Sequence, residues 1–85
     1  MNFRHAAALA LVGWYLMVPP VRNGEIRNVP LPDWGHFDSF DTAKECRDAG
    51  YDLIERTEKQ GDKDRIMSAK AFECIASDDP RLKGK

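Results

Sequence analysis

A chain of 85 residues with 13 basic and 14 acidic side chains, a net charge of −1, allows one small domain at most. The signs are mixed: every acidic residue lies at or after Glu25, and from Arg22 onward 12 basic residues face 14 acidic ones with no basic block. This speaks against nucleic-acid binding, which needs clustered cations to displace counterions, and against a polybasic membrane patch, because only Lys83 and Lys85 gather at one end.

Ala6 to Val18 is a thirteen-residue run without charge, placed behind Arg4 and ended by Pro19 and Pro20. A short positive region, an apolar run and a break predict a secretory signal peptide or an uncleaved signal anchor over residues 1–20. As a helix the run would span roughly 20 Å, short of the ~30 Å hydrocarbon core of a bilayer. Cleavage signals are poor. The small-residue triplets Ala6-Ala7-Ala8 and Ala8-Leu9-Ala10 leave too short an apolar core before the cut, and none follows the run. Trp14 and Tyr15 suit a membrane interface, so the membrane is an expected partner if the segment is retained. A core helix of a soluble protein is the competing reading. It is disfavoured because the run is apolar on every face and sits at the N-terminus. The expected location is thus outside the cytoplasm: periplasmic, or anchored to the inner membrane and facing outward.

Residues 21–33 (VRNGEIRNVPLPD) carry two prolines, a glycine and two asparagines, and predict a linker or extended arm. Residues 34–82 are the expected domain, with residues 83–85 a frayed tail. Trp34 to Phe40 is a candidate strand. Its aromatics at 34, 37 and 40 do not alternate, which a bulge or turn at Gly35 or Ser39 would reconcile.

A helix from about Thr42 to Gln60 is the clearest element. Asp41 is a possible N-cap, and Thr42 with Glu45 offers a capping box one residue later. Cys46, Ala49, Gly50, Leu53, Ile54 and Thr57 follow Ala43 on one face, while charged residues fill the other. Gly50 within a helix costs about 1 kcal/mol against alanine, and its bare backbone lets another segment approach. Gly61 is a stop, and Asp62 caps a second helix from Lys63 to about Lys70. Residues 71–76 read as a strand pairing with the Trp34–Phe40 region or as continued helix, with the strand preferred. Asp79 followed by Pro80 predicts a final single turn.

Two cysteines in a short exported chain predict one disulfide, Cys46–Cys74, between the main helix and the C-terminal segment. The bridge closes a loop of 29 residues counting both ends. The chain-entropy model assigns such a loop about 3.5 kcal/mol. The alternative is a reactive Cys46 thiol near the helix start, beside Lys44 and Arg47, although no C-x-x-C motif occurs.

No catalytic or cofactor constellation emerges. Cys46, Cys74 and His36 have poor zinc spacing. Asp62, Asp64 and Glu73 fail the calcium-loop pattern at Ile66 and Met67. Asp33, His36, Asp38 and Asp41 cluster before the helix, where acids ordinarily stabilise the helix dipole, and His36 with Asp38 is the one candidate acid–base pair. Most of Trp34, Phe37, Phe40 and Phe72 are expected in the core. Asp78, Asp79 and Arg81 read as a capped turn with an ion pair or as a recognition tail, so these three with Trp34 are the candidate interaction residues.

The run Gly13-Trp14-Tyr15-Leu16-Met17-Val18-Pro19-Pro20 resembles an N-terminal signature of uncharacterised small exported bacterial proteins. In these a tryptophan, a stretch like Ser39 to Cys46 and a tail like Cys74 to Lys83 follow. The resemblance spans most of the chain outside residues 21–33 and 47–71. It implies no activity, but favours a structural role for both cysteines and retention of the N-terminal segment.

The expected fold is α+β: one main helix on a short two-stranded antiparallel sheet with one disulfide, preceded by an N-terminal hydrophobic helix. An α-helical hairpin closed by the same bridge is the alternative. The expected function is a non-enzymatic cell-envelope module that binds an unknown protein partner, without cofactor. An accessory subunit of a membrane complex and a small thiol-based redox factor are the competing classes.

Overall fold

The computed structural model describes residues 12–83. The latter part of the apolar run is a β-strand, β1 (Trp14–Val18), and it is the central strand of the molecule. It pairs antiparallel with β4 (Gly35–Phe40) on one side and with β5 (Glu73–Ala76) on the other. Over the described residues the fold is therefore α+β with a three-stranded antiparallel sheet, a second two-stranded sheet and two helices. Neither a two-stranded sheet behind a hydrophobic helix nor a helical hairpin describes it. Trp14 to Val18 belongs to the domain core, so the expected N-terminal hydrophobic helix over residues 1–20 is corrected there; residues 1–11, like the tail residues 84 and 85, lie outside the described part.

The physical reason is that β1 is covered on both faces. Trp14, Leu16 and Val18 point to one side, against the helices, and Met17 with Tyr15 to the other. A strand buried on both faces has no polar alternation and reads as a continuous apolar run, as a membrane helix does. β1 also separates the two segments expected to pair with each other. Phe40 lies opposite Trp14 from one side and Ala76 from the other.

Pro19 and Pro20, which end the run, are built into the domain. Pro19 is fully buried, its carbonyl accepts the Ser68 hydroxyl at 2.6 Å, and the Pro20 carbonyl accepts the Arg27 N–H at 2.9 Å. Between them and the sheet, residues 21–33 form structure rather than a linker. β2 (Val21–Arg22) and β3 (Glu25–Ile26) make a hairpin around Asn23 and Gly24, with φ of 55° and 78°. Two central residues in the left-handed region are what a two-residue turn matching strand twist requires. The Gly24 N–H donates to Asp64 at 3.1 Å, tying the hairpin to the second helix. A 3-10 turn over Leu31–Asp33 then buries Leu31.

Helix α1 (Ala43–Gln60) starts at Thr42, where both halves of the capping box form: Glu45 N–H to Thr42 Oγ1 at 3.1 Å and Thr42 N–H to Glu45 Oε1 at 3.2 Å. It ends at Gly61 in the left-handed region. Cys46, Gly50, Leu53 and Thr57 are its buried residues, the face its spacing predicts. Helix α2 (Lys63–Lys70) is capped by Asp62, whose carboxylate accepts the Arg65 N–H.

The core has two parts, one on each face of β1. On the helix side Leu16, Cys46, Leu53 and Ala69 are buried together. On the other side Met17, Leu31 and Ile75 are buried, with Tyr15, Trp34 and Leu82 packed around them. The Cys46–Cys74 disulfide joins α1 to β5 across a Cα separation of 6.0 Å, and Cys74 lies opposite Leu16 in the ladder. Gly50 is explained by Phe72. A Cβ at position 50 would lie within 2.6 Å of three carbons of the Phe72 ring.

Gly50→Ala therefore destabilises the domain, by about 1–3 kcal/mol in urea unfolding, despite alanine's better helix propensity. Phe72→Leu in the same chain recovers part of the loss. A stabilised single variant would contradict this packing.

Candidate functional site

The expected interaction residues lie on the sheet face away from the helices, and only some of them are brought together. Trp34 is half-buried against Met17, Leu31 and Ile75, and its indole N–H donates to the Val29 carbonyl at 3.1 Å. Arg81 lies beside it, and the two line a shallow cleft with Val29, Pro30 and Leu31. Arg81 is already committed to Asp79. Its Nη2 donates to Asp79 Oδ2 at 2.9 Å, its Nε contacts both carboxylate oxygens, and its backbone N–H donates to Oδ1 at 2.8 Å. The guanidinium hydrogen bond is the main cause that holds the Asp79 carboxyl below its ordinary value and the Arg81 guanidinium above its own. Asp79 thus caps the turn Pro80–Lys83, while Asp78 is exposed.

The two cysteines form the disulfide, with Cys46 fully buried, so no free thiol exists in the oxidised chain among the described residues. His36 and Asp38 do not make an acid–base pair. His36 Nε2 lies 3.1 Å from the Asp38 carbonyl oxygen and 3.0 Å from Ser39 Oγ. The Asp38 carboxylate accepts the Ser39 N–H at 2.8 Å. Among the described residues no group of three or more His, Cys, Asp or Glu is placed to hold a metal ion, and no helix is long and apolar enough to cross a membrane.

The helix side carries a groove that sequence reasoning did not find. It lies between the C-terminal half of α1, α2 and the β1–β4 edge, with a volume of about 300 Å³. Val18, Leu53 and Ala69 contribute apolar floor, and Phe37 forms one wall. Phe37 reaches it through a bulge. In the β1–β4 register Leu16 faces Asp38 and Met17 faces His36, so Phe37 is the extra residue. It is 52% exposed, while the other strand Phe, Tyr and Trp side chains of the described residues pack on the core.

Arg56, Gln60 and Arg65 form the polar rim, and among the described residues no acidic side chain lines the groove. Arg56 contacts Asp52 at 3.0 Å, and Arg65 donates to Gln60 Oε1 at 3.4 Å. The two hydroxyls at the groove have spent their protons: Thr57 donates to the Ile54 carbonyl and Ser68 to that of Pro19. A second apolar groove flanks α2 on its other side, where Ile66 and Met67 meet Ile26 of the hairpin between Lys63 and Lys70. The broken aromatic alternation of Trp34 to Phe40 called for a bulge or turn at Gly35 or Ser39; the bulge falls at Phe37 instead, between them.

Comparison with protein-family models, with curated proteins and with solved structures finds no match to this chain.

The Asp79–Arg81 pair gives a pH signature. A depressed folded-state pKa contributes stability that is present above the unfolded value and is lost as pH falls through the folded one. The Asp79 carboxyl carbon should therefore titrate below the ordinary aspartate value of 3.8, and the C-terminal turn should loosen only below that pH. Arg81→Gln should return the midpoint to the ordinary range. An unshifted Asp79 midpoint in the unaltered chain would remove the pair as a feature of the solution state.

Proposed function

We propose that the chain is a non-enzymatic binding module of the cell envelope, working in an oxidising compartment. The buried Cys46–Cys74 bridge carries this reading. It joins the main helix to the sheet of a domain whose described residues bring no acid–base pair or metal-binding cluster together. Disulfides persist outside reducing cytosol, and small domains that cannot build a large core depend on them. Recognition is then the work of surface clefts, of which the groove between α1 and α2 combines an apolar floor with charged groups at the rim.

Export places a constraint on the chain's own N-terminus. Ser77 donates its N–H to the Gly13 carbonyl at 2.8 Å, and Trp14–Val18 is the central strand. Any segment that directs the chain to the membrane has to end before Gly13, so the apolar run cannot serve as one over its full length. A folded domain cannot lend Trp14 and Tyr15 to a bilayer while they pair with β4 and β5.

Intact-mass analysis of the protein isolated from its own host tests the reading. The expected mass shows the loss of two hydrogens to the bridge, with Gly13 and everything after it retained. The double variant Cys46→Ser/Cys74→Ser should lose about 3.5 kcal/mol of stability in urea unfolding, the loop-closure value. Reduced cysteines in the native host, or a mature chain beginning after Trp14, would defeat the proposal.

A further inference from the structure

The groove between α1, α2 and the bulged strand has a definite chemistry. Its floor is apolar, from Val18, Leu53 and Ala69, and the exposed Phe37 ring extends that surface at its wall. With the Thr57 and Ser68 hydroxyl protons spent on backbone carbonyls, the side-chain donors left for a ligand are those of Arg56, Gln60 and Arg65 at the rim. The chain as a whole is slightly acidic, yet among the described residues this groove is lined by two arginines and no carboxylate. Arg65 spends one donor on a long 3.4 Å contact with Gln60, which leaves most of its planar fork for a carboxylate. Arg56 shares its charge with Asp52, and both are more than half exposed, so that pair yields to a better-placed acid at little cost.

Resting on the binding-module reading, we propose that this groove takes a segment of a partner protein in which one bulky apolar side chain stands beside Asp or Glu residues. The apolar side chain fills the cleft against Leu53 and Phe37, and the flanking carboxylates meet Arg65 and Arg56. A volume of about 300 Å³ is at the small end of ligand clefts and matches a single anchoring side chain better than a membrane-length acyl chain. The segment docks by its side chains rather than by adding a strand to β4. On β4, away from β1, the Ser39 N–H is already held by the Asp38 carboxylate, and the His36 ring lies against the Asp38 carbonyl, so an added strand would have to displace both.

The test is selection from a library of short random peptides displayed on phage, using the oxidised full chain as bait. Enriched peptides should carry Leu, Phe or Trp flanked by Asp or Glu. Their affinity should fall about tenfold or more for Arg56→Gln/Arg65→Gln, fall similarly for Phe37→Ser, and weaken with added salt. All three substituted side chains are exposed, so near-UV circular dichroism of the variants should match the parent.

Enriched peptides without acidic bias, or with equal affinity for the double arginine variant, overturn the assignment of this ligand class. If such peptides map by amide shifts to Trp34 and Arg81, the binding-module reading survives while this groove loses its role. No enrichment at all counts against both. Phosphatidylglycerol vesicles serve as the parallel probe: arginine-dependent vesicle binding without peptide enrichment would also overturn the proposal, in favour of a lipid surface.

Discussion

The structure depends on one constraint: β1 is a central strand with apolar side chains on both faces, in a chain with little else to cover them. On one face Leu16 needs a lid, and α1 provides it through Cys46 and Leu53. On the other Met17 needs one, and neither helix of the described residues lies there. Two single turns, Leu31–Asp33 and Pro80–Lys83, supply Leu31 and Leu82 instead. Burying a large apolar side chain contributes about 1.5–3 kcal/mol. The few that are buried here stand against an ordering cost of about 1–2 kcal/mol per residue for the backbone alone. A bridge that removes about 3.5 kcal/mol of freedom from the unfolded chain is on the scale of one or two such side chains. Its position matches that need, because Cys74 sits opposite Leu16 and fixes α1 over the middle of the ladder.

How much of this was legible in the sequence follows from which signals were local. The helices were, because caps and breakers act within a few residues: Thr42 with Glu45, Gly61, Asp62. The buried stripe of α1 was legible from its spacing, and with it the place of Cys46. Gly50 announced a close approach, although not that Phe72 would make it. β1 was not legible, because Trp14 to Val18 lacks the alternation that marks a half-buried strand. A doubly covered strand and a membrane segment present the same apolar run. That single error displaced the rest, leaving the segments at 34–40 and 71–76 to pair with each other when β1 in fact stands between them. The Asn23-Gly24 hairpin carried its usual two-residue sign, but short strands between prolines gave it no apolar flanks to mark it.

The groove was invisible for a different reason. Arg56 and Arg65 sit on separate helices, and each alone reads as solvated charge. Their meeting over Leu53 is a product of the α1–α2 turn at Gly61, and Phe37 joins them only because a bulge offsets it from the register. The Asp79–Arg81 pair was visible because its members are two residues apart. Its geometry makes it a lock on the C-terminal turn more than an offer to a ligand, since the guanidinium already holds both oxygens of its carboxylate.

The bridge and the groove lie at opposite ends of α1, and the load between them is divided. Cys46 is in the first turn of the helix, whereas Arg56 and Gln60 are in its last two. The distal end has its own ties: Leu53 is buried in the core, and the Ser68 hydroxyl bonds Pro19 at the end of β1, holding α2 to the sheet. A change at the sulfurs therefore reaches the groove through the shared packing of Leu16 with Leu53 and Ala69, and through the global stability of the domain. The staple sets whether the fold persists, and α2 with its tether to Pro19 sets the shape of the binding surface. That separation lets the rim side chains vary while the stapled core stays the same, since neither Arg56 nor Arg65 contributes to what the bridge holds together.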